Sequence, residues 1–186
     1  MNLLYLLNGR WHAPALMLFF TPILFHMSEH FVQIVQLYVL QLDRSAAQGI
    51  VGIWFPAAVQ SEVLHFGFAV FTLTGLVLLR PAFDERARFW WSVALAIEFW
   101  HQFEHVTLLF QRVTGAFFFG EAVPTSIVQV LVPRAELHLT YNSLVFVPMV
   151  IAVFAHLYPG ATAQITSICG CCRRGGRPVS VSALSA

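Results

Sequence analysis

The residues of this chain that are best suited to bind a metal ion occur in two short runs with identical spacing. Both runs have the pattern His-x-x-Glu-His, at residues 26–30 and 101–105, and both lie inside long apolar segments. Positions i, i+3 and i+4 share one face of a helix, so each run directs two imidazoles and one carboxylate the same way. Unpaired ionisable groups are costly in apolar surroundings. The two runs therefore predict a shared ligand, and a metal ion is the simplest one.

Each run is followed, in the next apolar segment, by a further histidine that comes directly after a leucine. With these two, the predicted metal ligands are His26, Glu29, His30, His65, His101, Glu104, His105 and His138. Six imidazoles and two carboxylates are too many for one ion but suit two, with three nitrogens for each ion and the glutamates bridging or capping. We therefore predict a dinuclear centre. It is analogous in class to the carboxylate di-metal four-helix bundles, which use more Glu and fewer His.

The donor set indicates the metal and the reaction. Nitrogen and carboxylate ligands without thiolate favour iron or zinc, with copper or manganese next. The leading function is a metal-dependent oxidoreductase that acts on a small or lipophilic molecule, with the metals activating O2 or water. Glu98 and Tyr141 lie one helical turn from predicted ligands and are the predicted catalytic groups that move protons.

Three further polar residues lie one helical turn from predicted ligands. They are Gln33, Glu62 and Asn142. Histidines that bind a metal usually donate their second ring N–H to a carboxylate, a carbonyl or water. We therefore expect these three side chains to orient the imidazoles.

Several other interpretations explain part of the histidine pattern. Bis-histidine haem in an electron-transfer subunit leaves the glutamates and two of the histidines without a role. A metal transporter needs a polar path across the membrane, and the inner half of the spans offers almost none. A structural His/Glu network, as in an accessory subunit of a larger complex, rarely uses six imidazoles. The run is also the inverzincin protease motif, but such proteases need only one copy.

The composition is that of an integral membrane protein. Of the 186 residues, 58% are hydrophobic and 10% are charged, and the mean hydropathy is +0.72. Soluble domains carry about 25% charged residues. A net charge of +1 gives no electrostatic case for binding nucleic acid. The expected partner is the lipid bilayer, with a larger membrane complex or a homo-oligomer as further possibilities.

Four apolar segments are long enough to cross a hydrocarbon core of about 30 Å, which takes about 20 helical residues. They are Pro14–Leu40, Ala57–Leu79, Phe89–Phe110 and Ala135–Tyr158. The predicted fold is therefore an all-α bundle of four transmembrane helices in a single domain, residues 1–168. Trp90 and Trp91 fall near the start of the third segment, where indoles prefer the membrane interface.

The chain reads as two parallel two-helix repeats, about residues 14–80 and 89–159. Each repeat contains the His-x-x-Glu-His run, then a short apolar stretch that ends in proline, and then Leu-His. The short stretches, Ser45–Pro56 and Ala116–Pro133, are too short or too broken by Gly and Pro to cross the membrane. We call them the lid segments, because we expect them to lie over the metals. We expect four side chains of the lid segments to be buried over the metals, those of Ile50, Ile53, Ile127 and Val130.

Arginine placement predicts the orientation in the membrane. One side of the bundle carries Arg10, Arg80, Arg86, Arg88, Arg173, Arg174 and Arg177, whereas the other carries Arg44, Arg112 and Arg134. The positive-inside rule then places both termini in the cytoplasm and the histidine centre in the outer half of the bilayer. The outer charges, including Arg44, Arg134 and Glu136, are expected to be ordinary interfacial residues.

The inner end of the chain offers less obvious chemistry. His156 stands alone near the end of the fourth span and is expected to be an interface residue. Cys169, Cys171 and Cys172 lie beside arginines in a cytoplasmic tail, residues 169–186, that is expected to be largely disordered. Reduced thiols next to a basic membrane-binding stretch are the leading interpretation, with palmitoylation or capture of a soft metal as alternatives.

Overall fold

The computed structural model describes residues 3–159, Cys169 and Cys171, and the backbone of two short strands. The α-helices are α1 (Leu3–Asn8), α2 (His12–Tyr38), α3 (Gly49–Trp54), α4 (Pro56–Val59), α5 (Glu62–Leu79), α6 (Glu85–Thr114) and α7 (Arg134–Leu157). Two 3₁₀ helices cover Arg80–Ala82 and Val128–Val130. The strands β1 (Arg173–Arg174) and β2 (Arg177–Pro178) form an antiparallel pair in the tail. The rest of the predicted disordered tail, including Cys172, lies outside the described residues.

Among the residues that the structure describes, three helices are long and apolar enough to cross a membrane, which indicates a protein of the lipid bilayer. They are His12–Tyr38, Glu62–Ala82 and Arg134–Leu157. Helix α6 has 30 residues and is therefore about 45 Å long. It has the length of a span, but Glu98, His101, Glu104 and His105 reduce its hydropathy. The most polar long helix is thus the one that carries the second His-x-x-Glu-His run.

The four long helices are α2, α5, α6 and α7, and each of them packs against two of the others. Helix α2 packs against α5 and α7, and α6 packs against the same two helices. Their shared apolar core includes Leu16, Phe19, Ile23, Leu76, Trp91, Val145 and Met149. This core occupies the half of the helices near α1 and the Arg80–Ala82 turn, which we call the terminal end. The opposite end, where the lid segments lie, is the loop end.

Trp91 belongs to this core and not to the membrane interface. Its side chain is fully buried, its indole N–H donates to the Leu76 carbonyl at 2.7 Å, and its ring stacks on Phe83. The interfacial prediction for Trp91 is wrong, because α6 begins at Glu85, earlier than Phe89. Trp91 therefore lies almost two turns inside the helix.

Capping residues set the boundaries at the loop end. Helix α5 begins after Ser61, whose hydroxyl accepts from the backbone N–H of Leu64. This is the ordinary role of an N-cap serine. Helix α6 ends at Thr114 and is capped by Gly115, which has a φ of +69°, a conformation that glycine adopts without strain. The span predicted from Ala57 therefore starts at Glu62, and residues 56–59 form the separate helix α4.

Candidate metal centre

Six histidines from the four long helices lie together near the loop end. The separations between their ring centroids, where they are in contact, run from 4.5 to 6.4 Å. The six are His26 and His30 on α2, His65 on α5, His101 and His105 on α6, and His138 on α7. Together with Glu29 and Glu104 we call them the His/Glu cluster. All eight residues that the sequence singled out as ligands thus lie in one region of the molecule.

The tightest group of nitrogens belongs to the second half of the chain. Ligand atoms of His101, His105 and His138 all lie within 4.8 Å of one another, and all three side chains are buried. The Nε2 atoms of His101 and His105 are 3.1 Å apart. Two nitrogens bound to one ion at about 2.0–2.1 Å in a tetrahedral site are about 3.3 Å apart. The group therefore has nearly the spacing of a three-nitrogen metal site.

Most of these imidazoles are held in one tautomer by an acceptor at Nδ1. The contacts are His30 with Gln33 Oε1, His65 with Ser61 O, His101 with Glu98 Oε2, and His138 with Arg134 O, at 2.9, 2.9, 3.3 and 2.9 Å. An Nδ1–H that donates leaves the lone pair on Nε2, the usual arrangement of a histidine that binds a metal. In His138 the buried Nε2 has no hydrogen-bond partner among the described residues.

The two glutamates hold the lid segments. Glu29 accepts from the backbone N–H of Val51 at 3.0 Å, and Glu104 accepts from that of Val128 at 3.3 Å. Both carboxylates are buried. Oε1 of Glu29 has no hydrogen-bond partner among the described residues. The structure therefore places each glutamate between its histidines and its lid segment.

Two glutamines reinforce the same connections, and the sequence reading missed them. The side chain of Gln36 accepts from the Gly49 N–H at 2.8 Å and donates to the Gly49 carbonyl at 3.3 Å. Gln111 makes the same pair of bonds with Thr125, at 3.2 and 2.7 Å. Each glutamine follows its motif glutamate by seven residues, two helical turns along the same face. This equal spacing in the two halves was the sequence signal that could have identified the two glutamines.

The predicted partners of the histidines have mixed outcomes. Gln33 and Glu98 do contact the rings of His30 and His101, as described above. Glu62 instead forms an ion pair with Arg134, with two hydrogen bonds, one of them 2.9 Å long. Asn142 donates to the backbone carbonyl of residue 138 at 2.8 Å, within its own helix.

Tyr141 lies against the cluster through its ring. The ring stacks on that of His101 with centroids 4.8 Å apart, and the hydroxyl accepts from the Trp100 indole N–H at 2.8 Å. The contact with His101 places Tyr141 beside the second-half nitrogens. Its proposed part in moving protons stays a prediction.

Two ion pairs connect the halves of the chain at the loop end. Besides the pair between Glu62 and Arg134, Arg44 donates to both carboxylate oxygens of Glu136, at 2.9 and 2.6 Å. These hydrogen bonds raise the pKa of Arg44 above its usual value. The expectation of ordinary interfacial charges missed these pairings, because the partners are far apart in the sequence.

The lid segments contact the site differently from the prediction. Ile50, Ile53, Ile127 and Val130 are 54, 65, 41 and 50% exposed. The prediction that they are buried over the metals is wrong, because backbone N–H groups face inward to the two glutamates and these apolar side chains face outward. Val51 is the lid residue that lines a cavity with His26, Glu29 and His30.

Cavities formed by the described residues reach the histidines at three places. A cleft of about 390 Å³ is bordered by His30, His65 and His138 and by lid-segment residues near Arg44. A side cavity of about 290 Å³ between α2 and α5 reaches His26, Glu29 and His65 and is otherwise mainly apolar. A small void of about 10 Å³ is bordered by His26, His65, His101 and His105. One water molecule needs about 10–15 Å³, so this void is of the size of a single small ligand.

The last histidine of α7 is neither isolated nor interfacial. His156 is buried, and its ring lies 5.2 Å from that of His12 and 4.9 Å from that of Phe83. Cys169 and Cys171, expected as reduced thiols, are joined by a disulfide. His156 is covered by His12, Phe83 and Cys171, which come from other parts of the chain, and periodicity along a single helix cannot show such packing.

No protein-family model, curated protein or solved structure matches this chain. The function is therefore argued from the site itself.

Proposed function

We propose that this protein is a membrane-embedded, metal-dependent oxidoreductase with a dinuclear His/Glu centre. The observation that carries the proposal is the convergence of four imidazoles whose Nδ1 atoms face acceptors and whose Nε2 lone pairs are thereby left for a ligand. A purely structural network would have no reason to leave the buried Nε2 atom of His138 without a hydrogen-bond partner among the described residues, because an unmet hydrogen bond costs about 1–3 kcal/mol.

One ion in this proposal is held by the second-half nitrogens of His101, His105 and His138, which already lie within 4.8 Å of one another. A second ion is held by His26, His30 and His65. The Nε2 atoms of His26 and His30 are 3.1 Å apart, the same separation as in the second half. The small void between His26, His65, His101 and His105 lies between the two groups. The donors of such nitrogen-rich sites fit iron or zinc best, followed by copper or manganese, and of the first two only iron can serve an oxidoreductase.

The proposed architecture is a four-span bundle made of two parallel repeats. Three contacts support it, because each occurs once in each half. They are the Nε2 to Nε2 contact within the His-x-x-Glu-His run, the bond from the motif glutamate to a lid N–H, and the glutamine that brackets a lid residue. The spacing is identical for the histidines and differs by two residues for the glutamates and by one for the glutamines. The closed set of contacts among α2, α5, α6 and α7 supports the bundle.

The cavities support a small or lipophilic substrate. The side cavity between α2 and α5 is lined by exposed Phe25 and Leu64 at its mouth and by His26 and His65 inside. A molecule dissolved in the bilayer could enter by this route and reach the first-half nitrogens. Bound metal would supply the redox chemistry or the activation of O2 or water. Glu98 orients His101 and can hold a proton, while the ring of Tyr141 stacks on the same imidazole and its hydroxyl accepts from Trp100.

The proposed orientation places the loop end toward the outer face and both termini in the cytoplasm. The support is the arginine distribution, with seven of ten basic residues on the terminal side by the count given above. The His/Glu cluster then lies in the outer half of the bilayer.

Metal analysis combined with spectroscopy tests the proposal. Protein purified in mild detergent is expected to contain two non-haem ions per chain and to change its absorption spectrum when dithionite reduces it. A Soret band would instead assign haem. Metal-free protein that binds none of the four candidate metals on titration would reduce the cluster to a structural network. Two ions that are redox-inert, such as zinc, would exclude the oxidoreductase reading.

A further inference from the structure

We infer that the terminal end holds a second, separate metal site, made by His12, His156, Cys169 and Cys171, which binds zinc when the two cysteines are reduced. One ligand atom from each of these residues lies within 4.8 Å of the others. Two nitrogens and two sulfurs are the donors of the common tetrahedral structural zinc site. The apolar core around Leu76 and Trp91 lies between this group, which we call the His/Cys cluster, and the His/Glu cluster.

Burial supports a ligand at this position. His12 is fully buried, and His156 and Cys169 are also buried. The Nδ1 atom of His12 faces the Leu7 carbonyl at 3.2 Å, which leaves its lone pair on Nε2. That Nε2 atom has no hydrogen-bond partner among the described residues. A buried imidazole nitrogen without a partner is unfavourable, and a metal ion is a partner that its lone pair can take.

The sulfur side of the cluster is close to ligand geometry. Nε2 of His156 lies 2.9 Å from Sγ of Cys171. In a tetrahedral zinc site, a nitrogen and a sulfur bound at about 2.1 and 2.3 Å are about 3.5 Å apart. Conversion to a zinc site therefore needs the two sulfurs to separate and the ring to move slightly away from Cys171.

Zinc binding is a thiol reaction coupled to reduction. Two thiol molecules of a cytoplasmic reductant transfer two electrons and two protons, so that the bond between Cys169 and Cys171 breaks and the reductant forms its own disulfide. Zinc then displaces the two thiol protons into solvent and takes the lone pairs of His12 and His156. The oxidised pair, in which the sulfurs are bonded to each other, does not supply thiolates. The site is therefore redox-dependent, and in the proposed orientation it faces the reducing compartment.

Cobalt(II) is a direct probe of such a site, because thiolate ligation gives a near-ultraviolet charge-transfer band that nitrogen and carboxylate ligands do not. The full chain carrying Cys172→Ser, in detergent, is reduced with a phosphine and titrated with Co²⁺, followed by competition with Zn²⁺. We expect the band to appear, to saturate at one ion per chain, and to disappear when Zn²⁺ is added. The same sample without reduction should show no band.

Two variants complete the experiment. Cys169→Ser/Cys171→Ser in the same background should abolish the band, and His12→Gln should weaken Co²⁺ binding at least about 100-fold, because loss of an outer partner alone costs 10–100-fold. Absence of the band in the reduced Cys172→Ser protein, or unchanged affinity in His12→Gln, would overturn the inference. The His/Glu cluster contains no cysteine, so failure here leaves the proposed oxidoreductase centre untouched, and the reverse also holds.

Discussion

The two halves of the chain hold their lid segments by equivalent hydrogen bonds but enclose their histidines to different degrees. In the second half, His101, His105 and His138 are all buried and already within ligand distance of one another. In the first half, His26 and His65 are partly exposed and border the side cavity. The contacts that hold the lid segments are therefore alike, whereas access to the histidines is not.

This difference suggests that the two halves have different roles. A closed group of three buried nitrogens is suited to retaining an ion, because few water molecules can compete for it. A group that borders a cavity is suited to meeting a substrate, because an open coordination position is what distinguishes catalytic sites from structural ones. We therefore expect the second half to hold its ion more tightly and the first half to be the reactive side.

The largest expected effect comes from removing one histidine in each half. His105→Ala should lose the tightly held ion, and His30→Ala should lose the weakly held one while the second-half ion remains, each measured as metal per chain by elemental analysis. Thr107→Ala is the matched control on α6, since its exposed hydroxyl only bonds the Phe103 carbonyl. Full metal content in both histidine variants would show that neither residue is a ligand.

Substitution of the two glutamines should lower the stability of the protein to different extents. Gln111 is fully buried and bonds Thr107, Phe118 and Thr125, whereas Gln36 bonds only Gly49. Each buried backbone group left without a partner costs about 1–3 kcal/mol. Gln111→Ala is therefore expected to lower the melting temperature in detergent more than Gln36→Ala does. Equal shifts would contradict the view that the second half is the more enclosed one.

A single methyl group at Gly49 should damage the first half selectively. Gly49 has a φ of +74°, and a Cβ there would collide with the Glu29 carboxylate. The backbone cost alone is about 1–2 kcal/mol. Gly49→Ala should therefore reduce occupancy of the first-half ion and leave the second-half ion in place, as measured by metal titration. Gly67→Ala is the control, because nothing lies within 4 Å of its added Cβ. Loss of both ions in Gly49→Ala would show that the halves are not independent.

The smallest effect is expected at the ion pairs that join the halves. Arg44 is well exposed, so solvent screening should limit the cost of Arg44→Gln to less than about 1 kcal/mol. Arg134→Gln should cost more, because it leaves the buried Glu62 carboxylate without its partner. Thermal unfolding at low and high salt checks both variants. The loss of stability in Arg44→Gln should become smaller with added salt. If Arg44→Gln destabilised the protein more than Arg134→Gln does, the expected order of the two ion pairs would be wrong.

The sequence was sufficient to predict which histidines share a face, because the i, i+3 and i+4 spacing follows from helix geometry alone. It could not supply the acceptors of His65 and His138, since these are backbone carbonyls one turn earlier. The orientation of the lid segments was also out of reach. Their residues are apolar on every side, so the pattern does not distinguish an inward face from a face turned to lipid.

The environment of His156 depends on long-range packing. Its neighbours are His12 at the start of α2, Phe83 in the turn between α5 and α6, and Cys171 in the tail. Nothing in the local sequence of α7 indicates any of them. From the local sequence alone, a histidine at the end of an apolar helix is predicted to be interfacial. Only the residues that pack against it show that it is buried.

The apolar core between the two clusters has an electrical consequence. Residues such as Leu76, Trp91 and Met149 are completely buried there and fill the section of the molecule that separates the two ends. In a membrane-spanning protein, most of the transmembrane voltage falls across such a low-dielectric region. Moving one elementary charge through 100 mV costs about 2.3 kcal/mol. In the proposed orientation, the His/Glu cluster would therefore lie at the electrical potential of the outer side. The proposed redox reactions would then change the charge of groups in the cluster without moving charge across the membrane.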